Sequence, residues 1–203
     1  MAIQRNVLLS LALIVVSVIL IRFLFLVAYN PISFYAQRSP DYWLDIARNV
    51  ASGEGYTWPG TGEPTSRRGP TVVYYFAAVI WLFGDNLWAI IMAQWLMDIG
   101  TAILIFLIAQ HIFKNIHVAL VSSLLFACYV PGLNFTIRAW SEPTFTFMLA
   151  ALTLSTFYAL RRPTAWRFAI CGVCLGLAVL ARPIMQYYPL AMLVIIVWGL
   201  ERN

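Results

Sequence analysis

Val7–Tyr29, VLLSLALIVVSVILIRFLFLVAY, decides the fold, because Arg22 is the one charge it holds. A hydrocarbon core of roughly 30 Å takes about 20 apolar residues as helix, so this run is long enough to cross it. Its apolar core is longer than a secretory signal's, and it ends in LFLVAYNP without a small-residue cleavage site. It reads as a retained membrane helix.

Further apolar runs cover Leu87–Phe113, Ile116–Phe135, Pro143–Leu160 and Phe168–Leu200. The last is 33 residues long and is interrupted by Arg182-Pro183. Proline removes a backbone donor and disfavours helix in the residue before it, so this run divides into two shorter helices. Composition agrees: 62% hydrophobic residues, 10% charged residues and a mean hydropathy of +0.82 exclude a soluble domain of this length. The fold class expected is all-α, a polytopic transmembrane bundle of about six crossings: 7–29, then an external loop over 30–86, then the remaining crossings within 87–200.

Pro70–Gly84 is apolar too, but its helix would be only about 22 Å long. If it crossed, three basic residues (Arg5, Arg138, Arg182) would lie on the side of the N-terminus and nine on the other; at the surface the division is six and six. The positive-inside rule prefers the surface position, and the tight cluster Arg161, Arg162, Arg167 marks its side as cytoplasmic, with Arg5, Lys114 and Arg202. The first external loop then carries two juxtamembrane surface helices. Ser39-Pro40 is a start signal for the earlier one and Gly53 and Gly55 are its stop. Trp43, Ile46, Ala47 and Val50 recur at i, i+3, i+4, i+7, while Asp41, Asp45, Arg48 and Ser52 take the opposite face. Asp41 and Asp45 can simply solvate that face and pair with Arg48.

The following GEGYTWPGTGEPTSRRGP is too rich in glycine and proline for a helix, and Tyr56 and Trp58 suit an interfacial belt. Arg67 and Arg68 can hold a lipid phosphate bidentately or merely anchor the loop at the headgroups. Glu142, in AWSEPTF, falls on the same side as Asp41 in this topology. Asp98 lies within a helix, where a charge is costly, so it should face the interior and meet a partner. His111 and His117 flank Lys114 and read as interfacial. Asn134-Phe-Thr fits an acceptor sequon by pattern alone.

The net charge of +5 is spread over the loops, which gives no basis for a nucleic-acid partner. Cys128, Cys171 and Cys174 all fall in apolar runs, where cysteine behaves as a small hydrophobe. Cys171 and Cys174 form C-x-x-C, but nothing nearby completes a metal set. Gly172 and Gly176 make a GxxxG, expected to be a close helix-packing face.

Four segments in order, DYWLDIARNVASGEGY, RRGPTVVYYFAAVIWLFGDNLWAIIMAQ, WSEPTFTFMLAALTL and GLAVLARP, resemble the GT-C membrane glycosyltransferases. The resemblance is closest to the bacterial branch related to protein O-mannosyltransferases and lipid A aminoarabinose transferase. It runs from the first helix to the end of the chain, and it implies that the chain is the N-terminal portion of a longer enzyme. It also implies an inverting transfer of a sugar from a polyprenyl-phosphate donor to a lipid, glycan or protein acceptor, at the outer face of a bacterial cytoplasmic membrane.

Carried over position by position, the family's acidic residue upstream of its I-A-R-N-like segment falls on Ser39, and the nearest carboxylate is Asp41. Asp41 and Glu142 are the candidate catalytic residues. Arg68, with Arg67 and Arg182, is the candidate donor-phosphate site, and Asp45, Arg48 and Tyr56 are candidate supports. The chemistry suits these types: a carboxylate takes the acceptor hydroxyl's proton, and cations stabilise the departing phosphate. No cofactor is implied beyond the lipid-linked donor, and a divalent metal stays open. Two other readings remain: a non-catalytic scaffold or flippase-like transporter that binds lipid phosphate, and a helix-bundle transporter with a midplane site at Asp98.

Overall fold

A computed structural model describes residues 2–29 and 41–193 of the chain. These residues are helical apart from loops and one isolated bridge between Thr57 and Pro64. In chain order the α-helices are α1 (Ala2–Ala28), α2 (Trp43–Ser52), α3 (Pro70–Phe83), α4 (Leu87–Phe113), α5 (Ile116–Ala127), α6 (Val130–Thr136), α7 (Glu142–Arg161) and α8 (Ala165–Ala181). The all-α membrane bundle expected from the apolar runs is what forms. Among the described residues, α1, α4 and α7 are long and apolar enough to cross a membrane. The pair α5 and α6 makes a fourth span if taken together. The run expected to reach Leu200 lies partly outside the described residues.

Ile116–Phe135, expected as one continuous crossing, is broken, and its halves are bent by 56°. Pro131 sits in the first turn of α6, where it cannot supply the amide that would continue α5. The break frees carbonyls within apolar surroundings, and Arg22 of α1 meets one of them. Its Nη1 donates to Ala127 O at 3.2 Å while its Nε donates to Asp98 Oδ2 at 2.6 Å. The guanidinium also stands 5.9 Å from the Phe126 ring centre. Arg22 is 1% exposed and Asp98 3%, so each charge inside the bundle has its counter-charge. Asp98 thus meets the partner that its position demanded, and one guanidinium ties α1, α4 and the α5 break together. Ile14, Val18, Ala102, Phe106 and Ala119 fill the same interface.

The two short helices of the loop pack as a separate layer. Trp43, Leu44, Ile46 and Ala47 of α2 meet Val72, Val73, Phe76 and Ile80 of α3, with Ile90 of α4 beneath. The amphipathic pattern is therefore realised as burial of one α2 face. Its start differs from expectation: the helix begins at Trp43 behind Tyr42, whose φ of 57° is left-handed and which offers no side-chain cap. Ser39-Pro40, the expected start, lies outside the described residues, and Asp41 precedes the helix instead of occupying its first turn. The stop is as expected, with Gly53 at φ 87° closing onto Asn49 O and Val50 O.

Helix α8 ends at Ala181, and Arg182 takes the extended conformation that a following proline requires. A 3₁₀ turn, Pro183–Tyr187, follows. The Gly172/Gly176 motif does not serve as a close packing face among the described residues, because a Cβ added at either glycine meets nothing within 4 Å.

The ends of the bundle are chemically distinct. At one, the His111 ring stacks 5.5 Å from Phe157, and Arg167 donates to the carbonyls of Tyr158 and Arg162. At the other lie α2, the start of α3, the start of α7 and the end of α8.

Candidate active site

The site is built around Gly69, the N-cap of α3. A Cβ at this position would stand 2.5 Å from Ala181 O and closer still to Leu180 O, so only glycine permits the contact. Pro70 then opens α3 without losing a hydrogen bond, and Thr71 Oγ1 donates to Leu177 O at 2.9 Å. The start of α3 is in this way pressed onto the end of α8. Arg68 and Arg182 each sit one residue beyond that contact, so segments 114 residues apart in sequence bring the backbones of two arginines to one place.

Each guanidinium is held by a carboxylate and an aromatic ring. Arg68 Nε donates to Asp41 O at 2.5 Å, its Nη2 lies 3.6 Å from Asp41 Oδ1, and its charge sits 5.6 Å from the Trp43 ring centre. The Arg68 carbonyl accepts from the Tyr56 hydroxyl at 2.8 Å. Burial, together with Tyr74 nearby and against the opposing effect of Arg68, pushes the Tyr56 phenol up to about 12, so it is a neutral donor at physiological pH. Arg182 Nη2 forms a short ion pair with Glu142 Oε1 and donates to Ser141 Oγ at 3.1 Å, and its guanidinium lies 5.0 Å from the Phe145 ring centre. Glu142 opens α7, where the free amides of a helix start favour an anion. The loop ahead of it is tied to α4 by Gln94 Nε2, which donates to Trp140 O at 3.0 Å.

Asp41 thus pairs with Arg68, which Tyr56 supports, Glu142 pairs with Arg182, and the contact of Gly69 with Leu180 and Ala181 joins the segments that carry the two arginines. The other candidates do not join them. Arg67 is exposed and stacks 4.8 Å from the Trp58 ring centre, an interfacial arrangement. Arg48 spans Asp45 at 3.0 Å and Asp85 at 2.8 and 3.2 Å, fastening the far end of α2 to the turn after α3. Burial lowers the Arg48 pKa, but the bonds and charges of Asp85 and Asp45 outweigh that and leave it above its ordinary value.

Sequence reasoning missed Asp85, Ser141 and the aromatic rings under the arginines, none of which carries a local signal. It also missed Gly69, for which the sequence Arg-Gly-Pro before an apolar helix was a usable sign.

Arg68 keeps Nη1, and Arg182 keeps Nε and Nη1, free of bonds among the described residues. These are donors that a phosphate could accept from without displacing either carboxylate. Residues 67–203 match the family model described as dolichyl-phosphate-mannose-protein mannosyltransferase. The chain belongs to that family. Arg67, Arg68, Glu142 and Arg182 fall inside the matched region, while Asp41, Asp45, Arg48 and Tyr56 precede it. No curated protein and no solved structure matches the chain. Membership of the dolichyl-phosphate-mannose-protein mannosyltransferase family makes it a multi-pass membrane protein of mannosyltransferase type, and suggests a lipid-linked sugar as donor.

Proposed function

We propose that this chain transfers a sugar from a polyprenyl-phosphate donor to a hydroxyl of a lipid, glycan or protein acceptor at the outer face of a bacterial cytoplasmic membrane. Arg68 and Arg182 hold the donor phosphate between them. The observation that supports this reading is the contact of Gly69 with the carbonyls of Leu180 and Ala181, which brings the backbone before Arg182 against the backbone after Arg68.

The carboxylates divide their roles by environment. Glu142 is held tightly by Arg182 and is 23% exposed, whereas the Asp41 side chain lies 3.6 Å from Arg68 and is 38% exposed. Glu142 is taken up by its ion pair and orients Arg182, and the more exposed Asp41, open to an acceptor, is the base. The acceptor oxygen attacks the anomeric carbon, its proton passes to Asp41, and the bond from that carbon to the phosphate oxygen breaks with its electron pair on the phosphate. The configuration inverts. The growing phosphate charge is met by the two guanidiniums, already positioned before the reaction.

The test uses the purified chain in vesicles with radiolabelled polyprenyl-phosphate mannose and polyprenyl-phosphate aminoarabinose, with donor binding and sugar release measured separately. Binding that weakens about tenfold or more in both Arg68→Ala and Arg182→Ala, with turnover lost in Asp41→Asn, supports the assignment. Binding with no turnover of either donor in the wild type would select the non-catalytic scaffold, and unaltered binding in both arginine variants would sink the clamp.

A further inference from the structure

We propose that the groove between α4, α7 and α8, at the end of the bundle opposite the candidate active site, binds an anionic phospholipid of the cytoplasmic leaflet. Arg162 and Arg167 hold its phosphate, and one acyl chain lies along the groove. The cavity has a volume of about 390 Å³ and its walls are apolar, formed in part by Leu104, Leu154 and Ile170. Tyr158, Trp166 and Arg167 stand at its mouth. Trp166 is 68% exposed and Tyr158 46%, and such rings with one apolar and one polar edge settle at the level of lipid headgroups.

Charge decides the occupant. Between Glu142 and Glu201 the chain has no carboxylate, yet it places Arg161, Arg162 and Arg167 within seven residues. Arg22, Arg48, Arg68 and Arg182 each meet a carboxylate, whereas these cations meet no opposite charge among the described residues. Arg167, which lines the groove, is also fixed in place: its Nη1 donates to Tyr158 O at 3.3 Å and to Arg162 O at 3.2 Å, and its Nε and Nη2 make no bond among the described residues. An apolar helix seated in the groove would bury the walls but leave three cations unmatched. A soluble anion would match the cations but leave the walls empty. A phospholipid with net negative charge satisfies both. The lipid-linked donor is a poorer fit, because its phosphate is claimed by Arg68 and Arg182 at the far end of α7, a 20-residue helix about 30 Å long.

The test is native mass spectrometry of the detergent-purified full chain titrated with dioleoyl phosphatidylglycerol and, in parallel, dioleoyl phosphatidylcholine. The wild type should bind phosphatidylglycerol at least about tenfold more tightly, and Arg162→Gln with Arg167→Gln should abolish the preference. Arg167 also ties the end of α7, so Arg162→Gln alone, at an exposed side chain, provides a variant that keeps the fold and should lose several-fold. Ala151→Phe, which fills the groove, should weaken both lipids, and Arg68→Ala should change neither. Equal affinity for the two lipids, or unchanged affinity in Arg162→Gln and Ala151→Phe, would overturn the site. Undecaprenyl phosphate binding more tightly than phosphatidylglycerol in a protein carrying Arg68→Ala and Arg182→Ala would overturn the phospholipid as occupant.

Discussion

Replacing Gly69 with alanine tests whether the apposition of α3 and α8 is what positions the two arginines. The new Cβ would stand 2.5 Å from Ala181 O and closer still to Leu180 O, whereas real Cβ contacts essentially never fall below 3.0 Å, so the two segments must part by more than about half an ångström. The obstructing atoms are backbone carbonyls at the end of α8, which cannot swing aside as a flexible side chain would. Overpacking of this kind costs roughly 1–3 kcal/mol of stability. Its local consequence matters more, because Arg68 and Arg182 lie immediately beyond the contact. A phosphate spanning both forks would then satisfy one at the expense of the other. Loss of one charge-assisted bond at roughly 1.5–3 kcal/mol corresponds to about 10- to 150-fold in affinity.

The assay is binding of radiolabelled polyprenyl-phosphate mannose to purified protein in nanodiscs, with thermal unfolding followed on the same samples. Gly172→Ala is the control, since a Cβ there meets nothing within 4 Å and alanine favours helix. It should leave binding unchanged. If Gly69→Ala remains folded and binds donor within about twofold of the wild type, the close approach does not position the clamp. A lowered melting temperature with intact affinity would refute it equally, since Gly69 would then be a packing residue only.

Arg68→Lys keeps the charge but loses the planar fork, so donor binding should weaken by about 1–3 kcal/mol, whereas Arg67→Lys at the exposed Trp58 stack should bind as the wild type. Loss in both variants to the same degree would reduce Arg68 to an anchor. Asp41→Asn should lower turnover by about 10² or more with donor binding nearly intact, while Glu142→Gln should weaken binding as well by releasing Arg182; the reverse pattern would exchange their roles. Arg22→Met should destabilise the fold by about 3–5 kcal/mol because it strands Asp98, and adding Asp98→Leu should recover much of that loss. Additive losses in that cycle would deny the ion pair its coupling. In a protein freed of its native cysteines, single cysteines at Ser52 and Gln186 should react with an impermeant thiol reagent from outside, and one at Asn115 should not. Labelling of Asn115 from outside would end the proposed orientation.

The readable parts of this protein are those where a physical constraint acts along the chain. Hydrocarbon thickness makes α1, α4 and α7 visible as lengths of apolar sequence, and the i, i+3, i+4, i+7 spacing of Trp43, Ile46, Ala47 and Val50 makes the buried face of α2 visible as a period. Proline makes the end of α8 visible at Arg182-Pro183. The same rule applies to Pro131, which breaks the third apolar run, but a run of sufficient length conceals its own interruption. The start of α2 is misplaced by sequence reasoning for a related reason. A serine before a proline is a strong local signal, whereas the left-handed Tyr42 at the actual start has no preference that a sequence displays.

Pairings across the fold are legible only as demands. A carboxylate inside a membrane helix requires a counter-charge, so Asp98 predicts that a partner exists, and Arg22, the one charge in Val7–Tyr29, could have been named from the opposite sign alone. On the surface that economy fails, because an exposed charge requires no partner and several satisfy it equally. Asp41 could be assigned to Arg48 as readily as to Arg68, and nothing at Asp85 announces Arg48, 37 residues before it. The candidate site is assembled by a constraint of yet another kind, exclusion of volume. Gly69 brings Arg68 to Arg182 because it lacks a side chain, and a missing Cβ becomes informative only when the surface against it is known. For this reason the residues of the site can be named from the chain, while the contact that assembles them cannot.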